Sequence, residues 1–174
     1  MDNEFTVWIR LCQNGDKKAF ENIYRMFVSV VYALSLRLTC RTVQAEELTQ
    51  DVFIQVWKKL KKLKEPEAFP KWIKRITLNC FFSGIRYRKR QQLLLEEAEE
   101  YADFLRKRVY PREDERLELE MALAKLPERA RTVLILHELE GFKHQEISEM
   151  MEITVGASKS QLARARELLK EALR

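Results

Sequence analysis

The stretch from His144 to Leu173, HQEISEMMEITVGASKSQLARARELLKEAL, reads as a short helix, a turn and a longer helix. Thr154 can cap the longer one, since a Thr hydroxyl accepts a hydrogen bond from an otherwise unpaired amide of the first turn. At about 100° per residue, Val155, Ser158, Leu162, Ala165 and Leu169 fall on one inward stripe. Gly156, Ala157, Lys159, Ser160, Ala163 and Arg164 make the opposite arc, which is small except where it is basic. Such a face can approach the DNA major groove closely, with Lys159 and Arg164 reaching phosphates or guanine edges. Arg166 and Lys170 flank it. An ordinary helical hairpin with a solvated basic face would use the same residues. Upstream, a short helix near Glu115 to Ala124 is expected. Leu126-Pro127-Glu128 starts another that should end at Gly141.

Working outward, the whole chain of 174 residues holds only 4 Gly and 4 Pro, too few to punctuate an all-β fold. Leu, Glu, Lys, Arg and Ala are abundant, so an all-α protein of one or two domains is expected. Phe20, Ile23, Tyr24, Phe27, Val31, Leu34 and Leu38 recur at steps of three and four, one face of a long helix that Asp16 can cap. The stretch Met26 to Leu38 is broken by Ser29, Ser35 and Arg37 and is too short to span a bilayer. The N-terminal MDNEFTVW lacks the apolar run of a signal peptide, so a soluble intracellular protein is expected.

A third helix is predicted from a Thr42 cap to about Leu63. Leu48, Val52, Phe53, Val56, Leu60 and Leu63 share its core arc, while Glu47, Gln50, Asp51, Ile54 and Gln55 lie outside it, with Trp57 at the border. An apolar Ile54 among amides and acids fits a strip that binds another protein. It fits equally a site covered by a further helix. Pro66 and Pro70 break the chain before a fourth helix with Trp72, Ile73 and Ile76.

The net charge of +5 is unevenly placed. Residues 1–92 carry +9, residues 93–117 carry −3 and residues 118–174 carry −1. From Ala68 to Leu95 there is no acid, yet Lys71, Lys74, Arg75, Arg86, Arg88, Lys89 and Arg90 occur, interleaved with Phe81, Phe82 and Tyr87. Lys58, Lys59, Lys61, Lys62 and Lys64 lie just upstream. Such a run is either a solvated face or a surface for nucleic acid, where cations meet phosphates and rings stack on unpaired bases; Phe81 also suits a core position. The acidic cluster Glu96, Glu97, Glu99 and Glu100, followed by Pro111, marks a tether between two domains. The isolated glycines offer no phosphate cradle. Cys12, Cys40 and Cys80 form no CxxC pair. His137 and His144, seven apart, carry no ligand-like pattern, and ordinary histidines are expected.

Taken in order and spacing, GDKKAFENIYRMF, AEELTQDVFIQVWKKL, FPKWIKRITLN and LPERARTVLILHELEGF, together with the helix-turn-helix, resemble an extracytoplasmic-function sigma factor of the sigma-70 family. The likeness runs from about Arg10 to Arg90 and from about Leu119 to Leu173. It implies two helical domains: region 2 over residues 1–92 and region 4 over residues 118–174, joined by a flexible linker over 93–117. In such proteins the helix matching Ala45 to Trp57 docks on the β′ clamp, which assigns core-polymerase binding to Glu47, Gln50, Asp51, Ile54 and Gln55. The segment matching Lys61 to Arg90 recognises and melts the minus-ten element, which assigns Lys71, Lys74, Arg75, Asn79, Arg86 and Arg88. The helix-turn-helix, about Gln145 to Arg164, reads the minus-thirty-five element, which assigns Thr154, Lys159, Ser160, Arg164 and Arg166. The implied partners are RNA polymerase core (β′ clamp helices and β flap), promoter DNA and a cognate anti-sigma factor. No catalytic residue, metal, cofactor or small-molecule substrate is implied, and the setting is cytoplasmic.

The chain departs from the family pattern at five positions. Ser83 stands where Asp is frequent, and Lys143 replaces a Ser or Thr cap. Glu152 replaces the turn Gly, so the turn must accept a side chain at a left-handed position. Ser158 replaces Val on the inward stripe, and Gln161 replaces Arg. Three other readings share features with this one. A response regulator would need an α/β receiver, and a base-excision glycosylase a Gly-rich hairpin; neither is seen. A sigma-like protein that binds polymerase without initiating shares all of these motifs.

Overall fold

The computed structural model describes residues 4–92 and 114–173. The acidic cluster of residues 96–100 and Pro111 lie outside them. Every regular element among the described residues is a helix. In chain order these are α1 (Glu4–Gln13), α2 (Lys17–Thr39), α3 (Thr42–Lys59), α4 (Phe69–Gln92), α5 (Asp114–Ala124), α6 (Glu128–Leu134), α7 (His144–Met151) and α8 (Val155–Ala172). The chain divides into two compact units, one of residues 1–36 and 42–94, the other of 95–174 with the short stretch 37–41.

In the first unit, Gly15 takes a positive φ of 99°, and the Asp16 carboxylate caps α2 by accepting from the amides of Lys18 and Ala19 at 2.8 and 3.2 Å. Of the expected α2 stripe, Ile23, Phe27, Val31, Leu34 and Leu38 are buried, Phe20 is half-buried and Tyr24, at the edge of the stripe, is 42% exposed. Phe27 meets Phe5 of α1 and Phe69 of α4 edge-on, at centroid distances of 5.8 and 4.9 Å. On α3, Leu48, Val52, Phe53 and Val56 are buried as expected. The α-helix stops at Lys59, short of the expected Leu63, and tightens into a 3-10 turn over Leu60–Lys62. Leu60 turns into the core there, and the Gln13 amide at the end of α1 donates to the carbonyls of Leu60 and Leu63 at 3.0 and 2.8 Å. The Leu60 carbonyl also accepts from the Leu63 amide at 3.0 Å, so Gln13 adds a second bond there and ties the end of α1 to the turn that follows α3.

In the second unit, α6 widens into a π-helical turn over Ile135–Leu139, with the Glu140 amide donating five residues back to Ile135 at 3.0 Å. Gly141, at φ 74°, ends it where the sequence places the stop. The amide of Lys143 donates to the Glu146 carboxylate at 2.9 Å. This is one half of a capping box, all that a lysine at this position permits, since its ammonium cannot accept. Glu152 takes the left-handed conformation, φ 55° and ψ 46°, required of a turn without glycine. The Thr154 hydroxyl accepts from the Ala157 amide at 3.0 Å and caps α8. Ser158, Leu162 and Ala165 then face inward and are buried.

Candidate polymerase and nucleic-acid interfaces

On α3, the positions opposite the core arc are Glu47, Gln50, Asp51 and Ile54, all exposed, and the half-buried Gln55. Ile54 is 49% exposed and Trp57 44% exposed, so no further helix of the described residues covers them. The Trp57 ring is braced from behind by Phe20, edge-on at 4.8 Å. Phe53 in turn contacts Phe20 and Tyr24 at 6.5 and 4.6 Å. These rings fix the orientation of α3 on α2 and leave a mixed apolar and polar strip facing outward. The sequence puts Trp57 only at the border of this strip, because a wheel cannot show that its inner edge is already met by Phe20.

Helix α4 packs beside α3 and carries the basic segment. Lys71, Arg75, Asn79, Arg86 and Arg88 are exposed and Lys74 is half-buried. Arg86 donates to the Ser83 hydroxyl at 3.2 Å. Of the three aromatics interleaved with these cations, Phe81 and Phe82 are buried, at 3% and 7% exposure, and meet edge-on at 5.3 Å. They belong to the core and cannot stack on bases; Tyr87, 58% exposed, faces out. The mixed strip of α3 and the basic helix adjoin at Cys80: burial pushes its thiol pKa up, the negative Asp51 of α3 adds to this, and Lys59 partly opposes it.

On α8, the outward arc is exposed as the spacing predicts except at Ala157, which is half-buried. Gly156, Lys159, Ser160, Ala163 and Arg164 are exposed. A Cβ at Gly156 would meet only the Thr154 hydroxyl, at 3.9 Å, so the fold itself does not demand glycine there. Arg166 stands apart from this arc. Its guanidinium is taken by the Glu138 carboxylate through Nη2 and, at 3.1 Å, through Nε. That bond, first among the causes, holds the Glu138 carboxyl below its ordinary pKa. Nor did the sequence point to the contact between His137 and His144, whose rings stack at 4.5 Å. His144 Nδ1 lies 2.9 Å from the Ser158 hydroxyl. A buried serine on an apolar stripe demands such a partner.

The two halves of this geometry match known families. The description "Sigma-70 region 2" fits residues 23–91 and "Sigma-70, region 4" fits residues 116–169. The ECF RNA polymerase sigma-E factor of Haemophilus influenzae is 31% identical over 169 residues, covering 90% of this chain and 88% of that protein. The chain belongs to the ECF sigma factors. The ECF sigma factor SigW of Bacillus subtilis is 29% identical over 178 residues, covering 95% of each. In fold, the chain is similar to the sigma factor RpoE of Bartonella quintana, solved in complex with the anti-sigma factor NepR. The TM-score is 0.61 at 23% identity, over 90% of this chain and 97% of that one. As an ECF sigma factor this is a transcription initiation factor and not an enzyme. It binds RNA polymerase core and promoter DNA, region 2 serving the minus-ten element and region 4 the minus-thirty-five element. No helix of the described residues is long and apolar enough to cross a membrane.

Proposed function

We propose that residues 1–92 dock on the polymerase and open the minus-ten element, that residues 118–174 read the minus-thirty-five element, and that residues 93–117 tether the two. The observation that carries this reading is the exposed Ile54 within the strip of Glu47, Gln50, Asp51 and Gln55, on a helix whose other face is core. An isolated exposed Ile needs no explanation; one framed by amides and carboxylates and backed by a braced Trp57 suits a protein partner, here the β′ clamp helices. Lys71, Lys74, Arg75, Asn79, Arg86 and Arg88 of α4 then meet the opening strands. Cations supply sequence-independent affinity, and Tyr87 offers the stacking face that the buried Phe81 and Phe82 do not. Because α3 and α4 pack together, melting is tied to docking.

In the second unit, Lys159, Ser160 and Arg164 approach the base edges and phosphates of the minus-thirty-five element, and Thr154 contributes through its cap. Arg166, tied to Glu138 through Nε and Nη2, joins them with the guanidinium N–H groups that the carboxylate does not use. The β flap is the polymerase surface proposed for this unit. The RpoE structure, solved with NepR, supports a cognate anti-sigma factor for this chain as well, and the proposed setting is the cytoplasm. Footprinting of the holoenzyme tests the assignment. Both elements are expected to be protected, and a chain that forms no stable complex with core polymerase would sink the reading. R164A is expected to lose protection at minus thirty-five while still binding core. Equal loss of both would point to unfolding instead.

A further inference from the structure

The three elements around the turn of the second unit meet at an imidazole pair. His137 comes from the π-helical turn after α6 and His144 is the first residue of α7. Their rings lie 4.5 Å apart and 25° from parallel, an arrangement suited to neutral rings and opposed by charge on both. His144 Nδ1 reaches the hydroxyl of Ser158 on α8 at 2.9 Å, and Ser158 is fully buried. The cations of α8 whose charge acts on His144 are Lys159 and Arg166. From the π turn, Glu138 lies 3.5 Å from His137 Nδ1, but its carboxylate is already engaged by Arg166. On α7 itself, the nearest acid in sequence, Glu146, is turned to the Lys143 amide. His144 therefore has cations beside it, no carboxylate bonded to it, and a place at the positive end of a helix.

We propose that this pair makes minus-thirty-five recognition acid-sensitive: protonation of His144 loosens α6, α7 and α8 from one another and weakens the hold of α8 on DNA. The inference rests on the reading of α8 as the minus-thirty-five reader. Burial, then the charges of His137, Lys159 and Arg166, lower the pKa of His144 from its ordinary 6.5. The unfolded chain thus takes up this proton before the folded one. The stabilisation is complete above the ordinary value and is lost as pH falls below it toward the lowered value. A cation that merely added to the attraction for phosphate would have the opposite effect on binding.

The test uses holoenzyme assembled from the full chain, on a promoter with its minus-thirty-five element intact or scrambled. The affinity ratio between the two promoters isolates the contribution of α8 from other titrations of the polymerase. For the wild type this ratio is expected to fall about fivefold between about pH 7.5 and 5.5, and to stay within about twofold for H144Q, which cannot titrate. H137F, which gives a charged His144 a ring that tolerates it, is expected to flatten the response too. A wild-type ratio that is constant or rises toward acid pH would overturn the proposal, as would an equal fall in both variants. If scrambling has no effect near pH 7.5, the reading of α8 fails instead. The thermal midpoint of the full chain then still decides the switch: it should drop toward acid pH more in the wild type than in H144Q, and parallel drops would overturn it.

Discussion

Glu152 sits at φ 55°, a conformation that costs an L-residue about 1–2 kcal/mol and glycine almost nothing. Because glycine loses more freedom on folding, E152G should gain a net 0.5–1 kcal/mol or so, read as a shift of the chemical-denaturation midpoint of the second unit. At the other side of the turn, T154A removes the hydroxyl that accepts from Ala157 and should cost about 1 kcal/mol. Its footprint at minus thirty-five should weaken in step with that loss. Both positions were legible in the sequence, since a Thr before a helical stripe and a side chain in place of a turn Gly are local signals. The bond from Ser158 to His144 was not. The two residues lie 14 apart, and a helical wheel marks Ser158 only as small and inward. Arg166 likewise looks like a free cation on the wheel, because nothing local says that Glu138, 28 residues upstream, will take it.

At the scale of the element, α3 and α4 carry core residues on one face and the proposed binding residues on the other. Their inward stripes were legible because periodicity reports which side is apolar. Which aromatics of an acid-free basic helix face outward was legible only in part: Phe81 also suited a core position, but nothing local separated Phe82 from Tyr87. The structure assigns the first two to the core. F81A should therefore cost about 3–5 kcal/mol of stability in the first unit. Y87A should leave the melting temperature within about 1 °C and instead reduce promoter opening, measured by permanganate reactivity of unpaired thymines. On α3, Ile54 is exposed, so I54A should change stability by less than about 0.5 kcal/mol while weakening core binding about tenfold. A large loss of stability in I54A would mean that the strip serves packing and not docking.

For the molecule as a whole, the modest net charge of +5 hides a first unit far more basic than the second. Binding strength to DNA should follow that placement: the salt dependence of promoter opening is expected to fall when Lys71 and Arg75 are both made Ala, by about one unit of log–log slope per lost phosphate contact. The second unit, small and near neutral, relies on the face that α8 presents and not on its charge sum. Two units that each carry half of promoter recognition can act together only on one polymerase. The measurement that tests this most directly is run-off transcription by core polymerase on candidate promoters, with and without the chain. Added chain is predicted to give a discrete transcript from a promoter bearing both elements, with core alone giving none, and the transcript should vanish when either element is scrambled. A chain that binds core stably yet yields no promoter-specific transcript from any promoter would contradict the account.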